Sequence, residues 1–169
     1  MEQRFKEVAT EKEFDEEVVD IARVSRTVKG GRRIRFRAAV VLGNRAGKIG
    51  MGIGKANDVM SAVNKAKRCA KRNIFVVPII SETIPHRVEI KDKAAKIILM
   101  PASQGSGVIA GGVVRIIADL SGIKNMLSKS LGTNNKISCM RATMKGLKSF
   151  KTVTRKDENY ANNKKINKK

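Results

Sequence analysis

Between Ile21 and Asn57 the chain carries ten Lys or Arg residues, seven glycines and no acidic residue. Side chains of this kind bind polyanions. Arginines alternate with apolar residues in Arg33-Ile34-Arg35-Phe36-Arg37-Ala38, and glycines do so in Ile49-Gly50-Met51-Gly52-Ile53-Gly54. A β surface with so much uncompensated positive charge needs an anionic partner, and nucleic acid is the commonest one. The residues expected to meet phosphate are Arg23, Arg26, Lys29, Arg32, Arg33, Arg45, Lys48 and Lys55. Glycines, Gly30 and Gly31 among them, let a backbone approach phosphates closely. Each phosphate neutralised releases condensed counterions, so affinity should fall steeply with salt.

A second signal is the glycine-rich run Gln104 to Gly112, with Gln104, Gly105, Ser106 and Gly107 as further candidates for RNA contact. A loop of backbone amides opening a helix is a ready anion site. Three readings stay open: RNA phosphate, nucleotide catalysis, or a tight strand-to-helix connection. The spacing is not that of a Walker loop, because no Gly-Lys-Ser/Thr follows. His86 follows Pro85 in a predicted strand, and a general base needs an orienting partner and a pocket. The sequence assigns neither, which favours a structural or RNA-contacting histidine. Ser and Thr residues show no nucleophile signature. Cys69 and Cys139 lie 70 positions apart, with a single histidine in the chain, so a zinc site or disulfide framework is unsupported. No catalytic residue, metal or cofactor is assigned.

The composition narrows the nucleic acid. Readers of single-stranded bases need aromatic platforms for stacking. This chain has no Trp, one Tyr and five Phe, and only Phe36 falls within the predicted basic sheet. Recognition of phosphate, ribose and shape in folded RNA fits better. Composition alone leaves DNA open.

The elements that must position these residues follow from periodicity. With 169 residues, 41% hydrophobic, the chain can build one large or two small domains. Residues 18–28, 33–42 and 48–54 read as strands, with turns at Lys29–Arg32 and Gly43–Gly47. Asn57 or Asp58 can cap a helix that ends near Asn73, with Val59, Ala62, Val63, Ala66 and Ala70 on its apolar stripe. Lys65, Lys67, Arg68, Lys71 and Arg72 lie on its far side. The expected first unit, residues 18–73, is a three-stranded antiparallel sheet with a helix on one face. Residues 74–82 contain Pro78 and read as a linker or an edge strand. In a second unit, residues 83–150, strands are expected over 84–91, 95–100 and 123–131. A helix uses Ile109, Val113, Ile116, Ile117 and Leu120, with Gly122 at its end. Asn135 can cap a last helix carrying Ile137, Met140, Met144 and Leu147.

Charge is uneven. The net is +21, yet the first 20 residues hold eight acids against three bases. Residues 1–17 read as an acidic leader, solvated or touching a basic neighbour. Residues 151–169, rich in Lys and Asn, read as a basic tail disordered until bound. No apolar run reaches the length of a membrane span, and the start lacks the apolar core of a secretory leader. These features suggest a cytosolic protein.

Several runs are distinctive in series: Val24-Ser25-Arg26-Thr27-Val28-Lys29-Gly30-Gly31-Arg32, Gly50-Met51-Gly52-Ile53-Gly54-Lys55-Ala56, and Thr83-Ile84-Pro85-His86. Behind them come Pro101-Ala102-Ser103-Gln104-Gly105-Ser106-Gly107, Ala110-Gly111-Gly112 and Arg141-Ala142-Thr143. In this order, over residues 15–150, the chain resembles the bacterial-type family of protein five of the small ribosomal subunit. The resemblance implies an α+β fold. Its amino-terminal domain would be similar to the double-stranded-RNA-binding fold, and its carboxy-terminal α/β domain would have a left-handed β-α-β crossover. It implies a non-enzymatic, structural constituent of the small subunit that binds ribosomal RNA near the neck and body. It further implies small-subunit proteins four and eight as neighbours, messenger RNA nearby, an influence on decoding accuracy, and a loop, Thr27 to Arg33, reaching toward the head. Location in cytoplasmic ribosomes follows, an organelle-encoded ribosome being equally open. A small-molecule kinase using residues 103–112, whose family shares the carboxy-terminal fold, and a free double-stranded-RNA-binding regulator are the alternatives. The acidic start and the Lys/Asn-rich end are not family signatures.

Overall fold

The computed structural model describes residues 14–150, so residues 1–13 of the leader and the whole 151–169 tail lie outside the described residues. The elements are β1 (Asp15–Val28), β2 (Gly31–Gly43), β3 (Lys48–Ala56), α1 (Val59–Arg72), β4 (Phe75–Val76), β5 (Val88–Asp92), β6 (Ala95–Pro101), β7 (Val108–Ile109), α2 (Gly112–Ser121), β8 (Met126–Ser130) and α3 (Lys136–Ser149). They form two four-stranded sheets, β1-β2-β3-β4 and β5-β6-β8-β7. The α+β class holds, with an antiparallel first sheet and a mixed second one.

The departures from periodicity are local. Phe75–Val76 pairs with Lys48–Ile49 as a fourth strand, so residues 74–82 include an edge strand. Pro78, which has no N–H to donate, falls just after it. β1 begins at Asp15, so three residues of the acidic leader are strand residues. Ile109 does not start a helix. It pairs in parallel with Leu127 and leaves 57% of its surface exposed. The helix starts three residues later at Gly112 and ends on Gly122, whose φ of 87° suits a left-handed cap. β8 is shorter than predicted, because the chain needs Ile123 to Asn125 to leave that cap.

The first sheet and its helix are matched by small residues. Gly50, Gly52 and Gly54 all face α1. A methyl on Gly50 would sit 2.6 Å from the Ala70 carbonyl oxygen, and methyls on Gly52 and Gly54 would clash with the carbonyls of Ala66 and Ala62. Two strand residues advance about 6.6 Å and four helix residues about 6.0 Å, so each glycine meets the next alanine in turn. The β3 glycines therefore serve helix packing. They do not bring backbone to phosphate, which corrects the expectation drawn from their number. Asp58 caps α1, its carboxylate accepting from the Met60 amide at 3.1 Å.

α1 covers one face of the first sheet, against Ala38, Val40 and Leu42. The other face, carrying Val19, Ala39 and Val41, shares a core with Val114, Ile117 and Leu120 of α2 and with Leu99, Met140 and Leu147 of the second unit. α2 thus wedges between the sheets, and α3 covers β5 and β6. At about 25 cal/mol per Å² of apolar surface, this shared burial ties the two units together.

Candidate nucleic-acid interface

β2 outruns its neighbours. It pairs with β3 only from Phe36 to Gly43, whereas its pairing with β1 continues to Val28 opposite Gly31. Residues 23–28 and 31–35 therefore form a two-stranded ribbon projecting beyond α1 by about 20 Å, at ~3.3 Å per residue. Ile34, on the helix-facing side by alternation, is 41% exposed because the helix does not reach it. Gly30 and Gly31 turn the tip with φ of 94° and 154°.

This ribbon collects Arg23, Arg26, Lys29, Gly30, Gly31, Arg32 and Arg33, all exposed. Its register places the cations on both faces. Arg26 lies directly opposite Arg33 on one face, while Arg23 (opposite Phe36) and Arg32 (opposite Thr27) occupy the other. Directly opposed like charges cost up to roughly 1 kcal/mol. None of these cations is paired with a carboxylate among the described residues. Lys55, at the end of β3, adjoins this face and with Arg26, Arg33 and Arg35 lines a concavity floored by Val24 and Val28. Arg37 differs: it sits against Asp20 at 3.7 Å, and Asp20 also meets Lys136 of α3 at 3.4 Å.

Arg45 and Lys48 lie elsewhere. They flank the β2–β3 turn, at the far end of a 13-residue strand from the ribbon tip, a separation of up to about 40 Å. Asn44 shapes that turn by accepting from the amides of Ala46 and Lys48 at 2.9 and 3.0 Å. The Arg45 guanidinium pairs with Asp15 at 2.8 Å. Its amide donates to the Leu120 carbonyl and that of Gly47 to Ser121, both at 2.9 Å. Arg45 also borders a surface hollow with Arg115 and Lys124. The predicted set is thus split between two ends of one sheet.

The glycine loop differs from its sequence picture. Gly107 donates its amide to the Asn125 side chain at 3.1 Å, and Ser106 donates its amide to the Ser103 carbonyl at 3.2 Å. Asn125 is 3% exposed, and its own carbonyl accepts from the Thr83 hydroxyl at 2.6 Å. Two amides counted as available to an anion are therefore committed inside the fold. Strand β7 also separates Gln104–Gly107 from the helix start at Gly112. Gln104, Gly105 and Ser106 remain exposed, and Gly105 has open space where a Cβ would stand.

Sequence reasoning did not assign Arg35, Lys65, Arg68 and Arg72 to the site. The three helix residues recur at i, i+3 and i+7 on the outer face of α1, and together with Arg35 and Lys55 they line one groove. The signal was the spacing itself: basic residues at helical intervals on a helix that follows a basic sheet. His86 is exposed and stacks edge-on to Phe150 with ring centroids 5.2 Å apart. Cys139 is buried and Cys69 half-buried, both as free thiols. Among the described residues no group of His, Cys, Asp and Glu could hold a metal ion, and no helix is long and apolar enough to cross a membrane.

Comparison with known proteins gives a consistent result along the chain. Residues 14–78 match the model of "Ribosomal protein S5, N-terminal domain", and residues 90–160 match "Ribosomal protein S5, C-terminal domain". The chain is 49% identical over 138 residues to the small ribosomal subunit protein uS5 of Thermotoga maritima, covering 82% of this chain and 78% of that relative. It is 52% identical over 139 residues to the uS5 of Campylobacter jejuni, covering 82% of this chain and 95% of that one.

Proposed function

The chain belongs to the ribosomal protein S5 family, and from that premise we propose how it works as a structural constituent of the small ribosomal subunit that binds ribosomal RNA. The observation that carries the mechanism is the projecting β1–β2 ribbon, with cations on both faces and no carboxylate partner among the described residues. Inserted between RNA segments, it would present Arg26 and Arg33 to one and Arg23 and Arg32 to the other, with Lys29 at the tip. Phosphate contacts of this kind position a protein without reading sequence. Arg45, Lys48 and the exposed Gln104–Ser106 would touch RNA at separate points, with Gly107 contributing geometry and no amide.

Family membership supports the finer placement, which is part of the proposal. The protein would neighbour small-subunit proteins four and eight, lie beside the path by which the messenger enters, and influence decoding accuracy through protein four. It would reside in cytoplasmic ribosomes or those of an organelle. The role is non-catalytic. A nucleotide-binding loop needs its amides aimed at phosphate, and here those of Ser106 and Gly107 are bonded internally.

Sedimentation tests the assignment. The tagged chain should travel with the small subunit through a sucrose gradient. A chain that stays at the top as free protein would overturn the reading. Nucleotide hydrolysis by purified chain that disappears with Gly107→Val would overturn the non-catalytic role.

A further inference from the structure

Helix α1 has two basic flanks in different electrostatic states. On one, Lys67 is held by Glu16 of β1 at 2.5 Å. On the other, Lys65, Arg68 and Arg72 line a groove of about 760 Å³ with Arg35 and Lys55 from the sheet. None of these five is ion-paired among the described residues, and no carboxylate lines the groove. Arg35 and Lys55 also line the ribbon concavity, so the two depressions form one continuous track.

We propose that this groove is a second RNA site that grips one strand of an RNA duplex. The inference rests on the RNA-binding reading above. Lys65, Arg68 and Arg72 recur roughly once per helical turn of ~5.4 Å, a ladder of point charges along one line. That pattern suits a regular row of phosphates. The groove contains no aromatic residue, so it offers no stacking platform for splayed single-stranded bases. Its remaining polar lining, Asn57, Ser61 and Asn64, supplies hydroxyl and amide groups that can donate to and accept from ribose 2′-hydroxyls. The partner is therefore a duplex recognised by backbone and ribose, without base readout.

Cys69 lies in the same groove and is half-buried, whereas Cys139 is buried. Its thiol is a built-in reporter of occupancy. The experiment follows alkylation of Cys69 by N-ethylmaleimide in the full-length chain, located by mass spectrometry, with and without a short RNA duplex. At duplex concentrations about tenfold above Kd, alkylation should slow roughly tenfold by mass action. The variant Lys65→Glu/Arg68→Glu/Arg72→Glu should lose that protection, and its salt slope for duplex binding should fall by about two to three. If the triple reversal unfolds the chain, the Gln equivalents at the same positions replace it. The ribbon variant Lys29→Glu/Arg32→Glu should bind more weakly yet still protect Cys69 at saturation. Duplex binding with Cys69 alkylated at its free rate would overturn the groove while leaving ribosomal RNA binding intact. Equal protection by a DNA duplex of the same sequence would overturn the ribose contacts. Failure to bind any RNA would overturn both readings.

Discussion

At the β1–β2 turn, Gly30 and Gly31 have nothing within 4 Å of the position a Cβ would take. At the other end of β2, a Cβ on Gly43 would strike the Leu120 carbonyl, and one on Gly122 would strike the carbonyl of Arg45. The cations follow the glycines. Those near the first turn are unpaired among the described residues, while Arg45 at the second is paired with Asp15. One end of the sheet is therefore open to an external anion, and the other is closed against α2. The same residue types hold the fold at one end and are left available for a partner at the other. Stability and RNA binding should be separable by mutation.

The largest expected effect is at the closed end. Gly122→Val combines a forbidden left-handed φ with a backbone clash, and should destabilise the chain by about 3 kcal/mol or more. Urea unfolding would read this as a lowered midpoint, and a midpoint unchanged from the parent would mean the two units are not interlocked there. Next comes Gly52→Ala, which pushes α1 off β3 and should cost about 2–3 kcal/mol in the same assay. Asn125→Ala should cost about 1–3 kcal/mol, because it strands the Gly107 amide. Its sharper signature is faster hydrogen exchange at Gly107. At the open end, Gly30→Ala should cost only about 1 kcal/mol, the local price of a positive φ. Arg45→Ala should be smallest, below about 1 kcal/mol, since its ion pair is exposed.

Much of this division was legible in the sequence, and the exceptions have physical causes. Alternation in Arg33 to Ala38 correctly placed the arginines on one face, because strand geometry fixes that result without tertiary information. The Ala stripe of α1 was readable for the same reason. What that stripe packs on was not. Gly50, Gly52 and Gly54 suggested phosphate approach, and only the three-dimensional match to Ala70, Ala66 and Ala62 shows helix contact. Ile109 fits a helical period, but parallel pairing with Leu127 overrides it. Arg45 and Lys48 looked continuous with the ribbon because composition carries no distance along a strand. The groove of Arg35, Lys55, Lys65, Arg68 and Arg72 was half visible. The helix face could be drawn, but its junction with Arg35 and Lys55 depends on how α1 lies across the sheet.

The most direct test of the open-end account is the salt dependence of small-subunit ribosomal RNA binding by Lys29→Glu/Arg32→Glu. Two lost phosphate contacts should lower the slope of log K against log salt by about 1.5 to 2, with the urea midpoint unchanged. A slope equal to that of the parent chain would place RNA binding away from the ribbon and contradict the account.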